Sequence, residues 1–114
     1  MSLKRVKKYA YLVIYLKNCE KKECDKIIHI ASKDLIDFFS EILFNFKKRN
    51  IKLNSAQKNN LRKFTNEAIL LLKRNTSLKR KKKILQKGGF LQTILAPIIG
   101  LISGLIGEAI ARKK

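Results

Sequence analysis

Glycine is absent from the first 87 residues, and the chain of 114 holds one proline, two cysteines and eight acidic residues. Each shortage excludes something. With no glycine before Gly88 and no Asn-Gly or Asp-Gly pair, the turn chemistry of tight β-hairpins is missing, so helices are expected and strands are not. Cys19 and Cys24 have neither the multiplicity of a disulfide framework nor the CxxC spacing of a zinc site, and they read as free thiols in a reducing compartment. Catalytic machinery is missing too: there is no glycine-rich phosphate loop, no His/Cys/Asp cluster for a metal, and no nucleophile with a base beside it. Neither an enzyme nor a cofactor is expected. His29, between isoleucines, reads as a core or edge histidine, and Asp34 with Asp37 as a solvated face paired to Lys33 or to a helix start. The amino terminus opens with basic residues, but its apolar run over 9–16 is short and no small-residue cleavage site follows, so no secretion signal is expected.

What the chain does have is positive charge. Lys and Arg number 27 against eight Asp and Glu, a formal net charge of +19, which points to a polyanionic partner such as nucleic acid or an anionic membrane surface. The charge is unevenly placed. Residues 47–87 hold fifteen basic residues and one acid, Glu67, whereas residues 20–41 hold six of the eight acids.

The helices can be placed in order. Residues 3–17 carry Tyr9, Leu12, Val13 and Leu16 on one helical stripe, with a short strand as the competing reading. Residues 20–30 make a second helix with Ile27, Ile28 and Ile30 inward. Ser32 is an N-cap candidate for a third, reaching about residue 49, in which Leu35, Phe38, Phe39, Ile42, Leu43 and Phe46 recur at three- and four-residue spacing. That stripe is the expected centre of the core. Asn54 and Gln57 fit a capping box opening a fourth helix over 55–74, with Leu61, Phe64, Ala68, Ile69 and Leu72 inward and Lys58, Arg62, Lys63 and Lys73 outward. Ser77 caps a fifth, very basic helix to residue 86, and Gly88-Gly89 punctuates the chain. The expected fold is all-α: a small bundle of about four helices over 1–75, a basic helix and linker over 76–89, and a Gly-Gly-separated hydrophobic helix over 90–114.

That last stretch contains a single charge, Glu108, between residues 90 and 111, and as one helix it measures about 33 Å, long enough for a bilayer core. Pro97 is expected to kink or restart it. Gly100 and Gly104 form a small-xxx-small face suited to close helix contact. Three roles fit: a tail-anchored transmembrane helix, an interfacial or membrane-disrupting segment, and a peptide for oligomerisation or capsid docking. The residues assigned to membrane or assembly contact are Phe90, Leu91, Leu95, Pro97, Ile98 and Ile99, together with Gly100 and Gly104. The basic run Lys79-Arg80-Lys81-Lys82-Lys83 is dense enough for attachment to a phosphate backbone, with nuclear import and the positive flank of a membrane span as other readings. Nothing marks a recognition helix, so the expected binding is nonspecific.

The order of basic run, Gln86-Lys87-Gly88-Gly89-Phe90-Leu91, then an apolar stretch with Pro97-Ile98-Ile99, resembles the carboxyl end of adenovirus core protein mu precursors. Residues 53–91, with Gln57-Lys58, Ser77-Leu78-Lys79 and the same Gln-Lys-Gly-Gly-Phe-Leu junction, are also similar to small basic proteins of Polinton/Maverick elements and related adintoviruses, the virus-like DNA transposons of animal genomes. The run here is lysine-rich rather than arginine-rich, and Gln92 stands where the viral tail has proline. The resemblance implies a virion core or minor capsid protein, located in the virion core or host nucleus. It implies that double-stranded DNA is coated or condensed through Lys79, Arg80, Lys81, Lys82 and Lys83 with Lys73, Arg74 and Lys87. The tail would then contact capsid proteins or a membrane, or associate with itself. The alternative is a membrane protein, tail-anchored or membrane-active, whose lysines flank its apolar segment.

Overall fold

Serine, asparagine and glycine divide the chain into helices largely where their chemistry requires. The computed structural model describes the backbone of residues 3–112 and the surroundings of residues 4–103, so the expectations for Gly104 and Glu108 lie outside the described residues. The elements are α1 (Leu3–Asn18), α2 (Lys21–Ile30), α3 (Lys33–Lys47), α4 (Ser55–Arg62), α5 (Thr65–Leu72), α6 (Leu78–Leu85) and α7 (Phe90–Arg112). The chain is all-α, with no strand among the described residues.

Ser32 accepts a hydrogen bond from the Leu35 amide at the start of α3, and Ser77 does the same from Arg80 at the start of α6. At α4 the capping box is complete: Asn54 Oδ1 accepts from the Gln57 amide at 2.8 Å while Gln57 Oε1 accepts from the Asn54 amide at 3.0 Å. The end of α3 shows how the chain manages without glycine. Arg49 adopts φ 60°, and the Arg49 and Asn50 amides donate back to the Phe46 and Asn45 carbonyls at 3.1 and 3.0 Å. That is a Schellman closure with arginine in the left-handed position usually held by glycine. The buried Asn45 steadies it by accepting from the Asn50 side chain at 2.9 Å.

The expected fourth helix is two helices. The Lys63 and Phe64 amides bond three residues back, to Asn60 and Leu61, and Phe64 takes φ −118° and ψ 29°, which breaks the helix between α4 and α5. The break directs the Phe64 ring to Phe90, 5.3 Å away between centroids. It also rotates α5, so that Leu71 is the buried residue while Ile69, expected inward, is 50% exposed. A similar correction applies to α2: Ile28 and Cys24 face the core, whereas Ile30, expected inward, is 81% exposed; His29, expected in the core or at its edge, is exposed.

Cys19 and Cys24 are joined by a disulfide, contrary to the free thiols expected. The bend at residues 19–20 folds α2 back on the end of α1 and brings the two Cα atoms to 6.2 Å, within disulfide range although the spacing matches no familiar motif.

The α3 stripe is the centre of the core as expected, with Leu35, Phe38, Phe39, Ile42, Leu43 and Phe46 all buried. The first half of α7 completes that core. Phe90, Ile94, Leu95 and Ile98 are fully buried, and α7 packs on α1, α3, α4 and α6. Gly88 and Gly89 make the corner that allows it: α6 and α7 meet at 81°. Gly89 has φ 86° and sits 3.5 Å from the Phe64 ring, measured from where a Cβ would stand. Pro97 neither stops nor restarts α7, which runs unbroken through it. The missing donor to the Thr93 carbonyl is offset by burial of Ile94, Leu95 and Ile98 on either side, each burial contributing roughly 1.5–3 kcal/mol. Within residues 4–103 no single helix is long and apolar enough to cross a membrane, and α6 with residues 90–103 reaches that composition only as the bent pair.

Arg5 ties α1 to α3 through Asp34 at 2.8 Å and Glu41 at 2.6 Å, and Asp34 also accepts from Tyr9 and Lys8. Asp37 pairs with Lys33 as expected, but Asp34 serves this interhelix cluster instead. The Tyr9 hydroxyl, with Arg5 and Lys8, holds the Asp34 carboxyl well below the usual carboxylate range. Because the folded-state value lies below the unfolded one, the stabilisation is complete above about pH 4 and is lost as pH falls through and below that value. Asp34→Asn is therefore expected to lower the melting temperature at pH 7, and the gap to the parent protein should close as the pH is lowered towards 2; a gap independent of pH would contradict the assignment. Ile94→Ala should cost about 2–5 kcal/mol in urea unfolding without detergent, whereas an α7 free of the core would leave stability unchanged.

Candidate nucleic-acid interface

The site begins with the lysine run, which the Ser77 cap starts and the Gln86 turn ends as a two-turn helix, α6. Ile84 and Leu85 are buried and anchor it; they fix which side of α6 faces water. Lys79, Arg80 and Lys83 stand exposed on that outer side, and Lys81 and Lys82 are half-buried at its edges. Three hydrogen bonds lay α6 alongside α2: Lys82 Nζ donates to the His29 carbonyl at 2.9 Å, Gln86 Nε2 to the Asp25 carbonyl at 2.9 Å, and Lys21 Nζ to the Gln86 carbonyl at 3.1 Å. Lys73 and Arg74, exposed in the turn after α5, lead directly into α6.

The eight residues expected to meet a polyanion thus separate into groups. Lys79, Arg80 and Lys83, with Lys73 and Arg74 before them, form an exposed cationic surface. Lys82 is engaged with the end of α2. Lys87 is ion-paired with Glu67, and that contact holds the Glu67 carboxyl below its ordinary value. Since Glu67 is the one acid in residues 47–87, its pairing leaves the α6 cations without a carboxylate partner among the described residues.

Several exposed cations outside the expected site belong to other elements. Lys22 and Lys26 lie four residues apart and exposed on α2, the neighbour of α6. Lys47, Arg49, Lys52, Lys58 and Arg62 line an open trough of about 640 Å³ where α3 ends and α4 begins, with no acid among its lining residues. Their number was visible in the sequence as the charge imbalance of residues 47–87, but their convergence depends on the Schellman reversal at Arg49.

The residues expected to contact a membrane or an assembly partner have mixed fates. Phe90, Leu91, Leu95 and Ile98 are buried in the core, and Pro97 and Ile99 are half-buried beside it. Gly100 faces open space, with no atom within 4 Å of a Cβ position, so the small-residue face has no partner at that point. Gln92 does a different job: its Nε2 donates at 2.8 Å to the Leu16 carbonyl, one of the acceptors left over at the end of α1.

No group of three or more metal-ligating side chains occurs among the described residues. No protein-family model, no curated protein and no solved structure matches the chain.

Proposed function

We propose that the protein binds double-stranded nucleic acid without sequence preference, as a packaging or core protein of a virus-like DNA element, through the outer face of α6. The observation that carries this reading is an exposed Lys79, Arg80 and Lys83 face with Lys73 and Arg74 before it in the chain, while Glu67, the one acid in residues 47–87, is occupied by Lys87. Such a face neutralises phosphates and releases their counterions, and releases more as each further cation engages. A two-turn helix of lysines holds no side chains patterned to read base edges, so it follows the phosphate backbone and not the sequence. The role is binding and not catalysis. The resemblance of the basic run and Gly-Gly-Phe-Leu junction to adenoviral and Polinton-type core proteins supports the same reading, with the amino-terminal helices as the globular unit that carries the cationic surface.

The tail-anchored alternative draws less support. Its lysines would serve topology, for which a few cations next to the span suffice, yet basic residues are spread from 47 to 87. Half of the apolar stretch also packs within the protein.

Titrating a duplex of about two helical turns at two salt concentrations, with two unrelated sequences, should give equal affinities that fall steeply with salt. Replacing Lys79, Arg80 and Lys83 together by Gln should reduce affinity at least tenfold near ~0.1 M salt and lower the slope of log K against log salt by roughly 2–3. An unchanged affinity and slope in the triple variant would remove α6 from the interface.

A further inference from the structure

The end of α3 and the bent α4–α5 pair do not close on each other. Between them runs a groove of about 360 Å³, in the size range of ligand sites, roughly 300–1,000 Å³. Its floor and walls are apolar: Leu43 and Phe46 from α3, Leu53 from the connecting loop, Leu61 from α4, and Ile69 and Leu72 from α5. α4 buries none of its residues, and Ile69 is 50% exposed on the groove wall. Lys47, Lys58 and Arg62 rim this floor, and no acid lines it. The same three cations continue into the neighbouring trough, where Arg49 and Lys52 join them, again with no acid.

We infer that this groove is a docking site for an acidic amphipathic helix of a partner protein, whose apolar stripe covers the Leu43–Ile69 floor and whose carboxylates meet Lys47, Lys58 and Arg62. The inference is independent of duplex binding by α6. Charge and shape select the occupant. An apolar floor inside a wholly cationic rim is complementary to a surface with an apolar stripe flanked by negative charge, which an amphipathic helix presents at i, i+3, i+4 and i+7. A duplex fits poorly, because its charged, rigid backbone can meet the cationic rim but cannot cover the concave apolar floor. Single-stranded bases need exposed aromatic platforms, and the one aromatic ring in the lining, Phe46, is buried. A second copy of the chain brings another +19 of like charge. A bilayer cannot follow a concave groove, and a single fatty-acid chain would remain wetted along its open side.

The test uses the full chain and a fluorescent synthetic helix of about 14 residues, ~21 Å long, with leucines at the i, i+3, i+4 and i+7 positions and glutamates elsewhere. A second peptide of identical composition has the leucines evenly scattered around the helix. At ~0.15 M salt the patterned peptide should bind with a dissociation constant on the order of 10 µM, and the scattered one at least tenfold more weakly. Ile69→Gln, which changes the wall and not the charge, should weaken the patterned peptide about tenfold and leave duplex affinity unchanged. Arg62→Glu, on the exposed rim, should weaken it by a similar factor. Equal binding of the two peptides would reduce the effect to bulk charge and overturn the inference. So would unaltered peptide binding by Ile69→Gln in a protein that still melts cooperatively, or displacement of the peptide by micromolar dodecanoate, which would assign the groove to a lipid-like anion.

Discussion

The burial of the first half of α7 against α1 and α3 is the contact on which the rest of the structure depends. The other helices are short or only half apolar, and α4 buries nothing of its own. Without Phe90, Ile94, Leu95 and Ile98, the apolar faces of α1 and α3 would lack a cover, and a unit of fewer than 90 residues would have little core left. The Gly88–Gly89 corner exists to deliver that segment, and the Phe64–Phe90 contact explains why α4 and α5 part where they do. The first half of the oily stretch, residues 90–102, is therefore covered by the protein itself, and the placement of the acids bears on what the lysines before it do.

Of the six acids in residues 20–41, four are spent on internal pairs: Asp34 and Glu41 with Arg5, Asp25 with Lys21, and Asp37 with Lys33. Their partners come from the amino-terminal half. The fifteen cations of residues 47–87 have Glu67 alone, and Lys87 takes it. In the first half Arg5 and Lys8 fasten α1 to α3, while Lys21–Asp25 and Lys33–Asp37 pair within their own helices. In the second half, with Lys82 on a backbone carbonyl and Lys87 on Glu67, the other cations are left without a carboxylate among the described residues and repel one another. Such an arrangement suits a protein completed by a polyanion on α6 and, on the groove wall at Ile69, by an acidic helix.

Much of this was legible in the sequence because it rests on local chemistry. Ser32, Asn54 with Gln57, and Ser77 cap helices through bonds to residues three positions away, and the Phe38–Phe46 stripe of α3 needs only its own periodicity to show which face is buried. The illegible parts depend on residues far apart in the chain. An apolar run such as residues 90–103 looks the same whether its neighbours are lipids or α1 and α3. Asp34 gave no sign that Arg5 and Tyr9 would reach it from another helix, and Cys19 met Cys24 only because α2 folds back. The α4–α5 break has no proline or glycine to announce it; it answers to Phe90, twenty-six residues downstream of Phe64. Arg49 in the left-handed cap position runs against residue preference altogether, and with it the convergence of Lys47, Lys52 and Lys58 stayed hidden.

Amide hydrogen exchange on the full chain in detergent-free buffer bears most directly on the claim that the apolar stretch belongs to the core. The amides of residues 94–102 should exchange as slowly as those of α1 and α3 and be released with them in one cooperative opening. Fast exchange along residues 94–102 while α1 and α3 stay protected would contradict it, returning the stretch to the status of a free apolar tail and the lysines beside it to membrane topology.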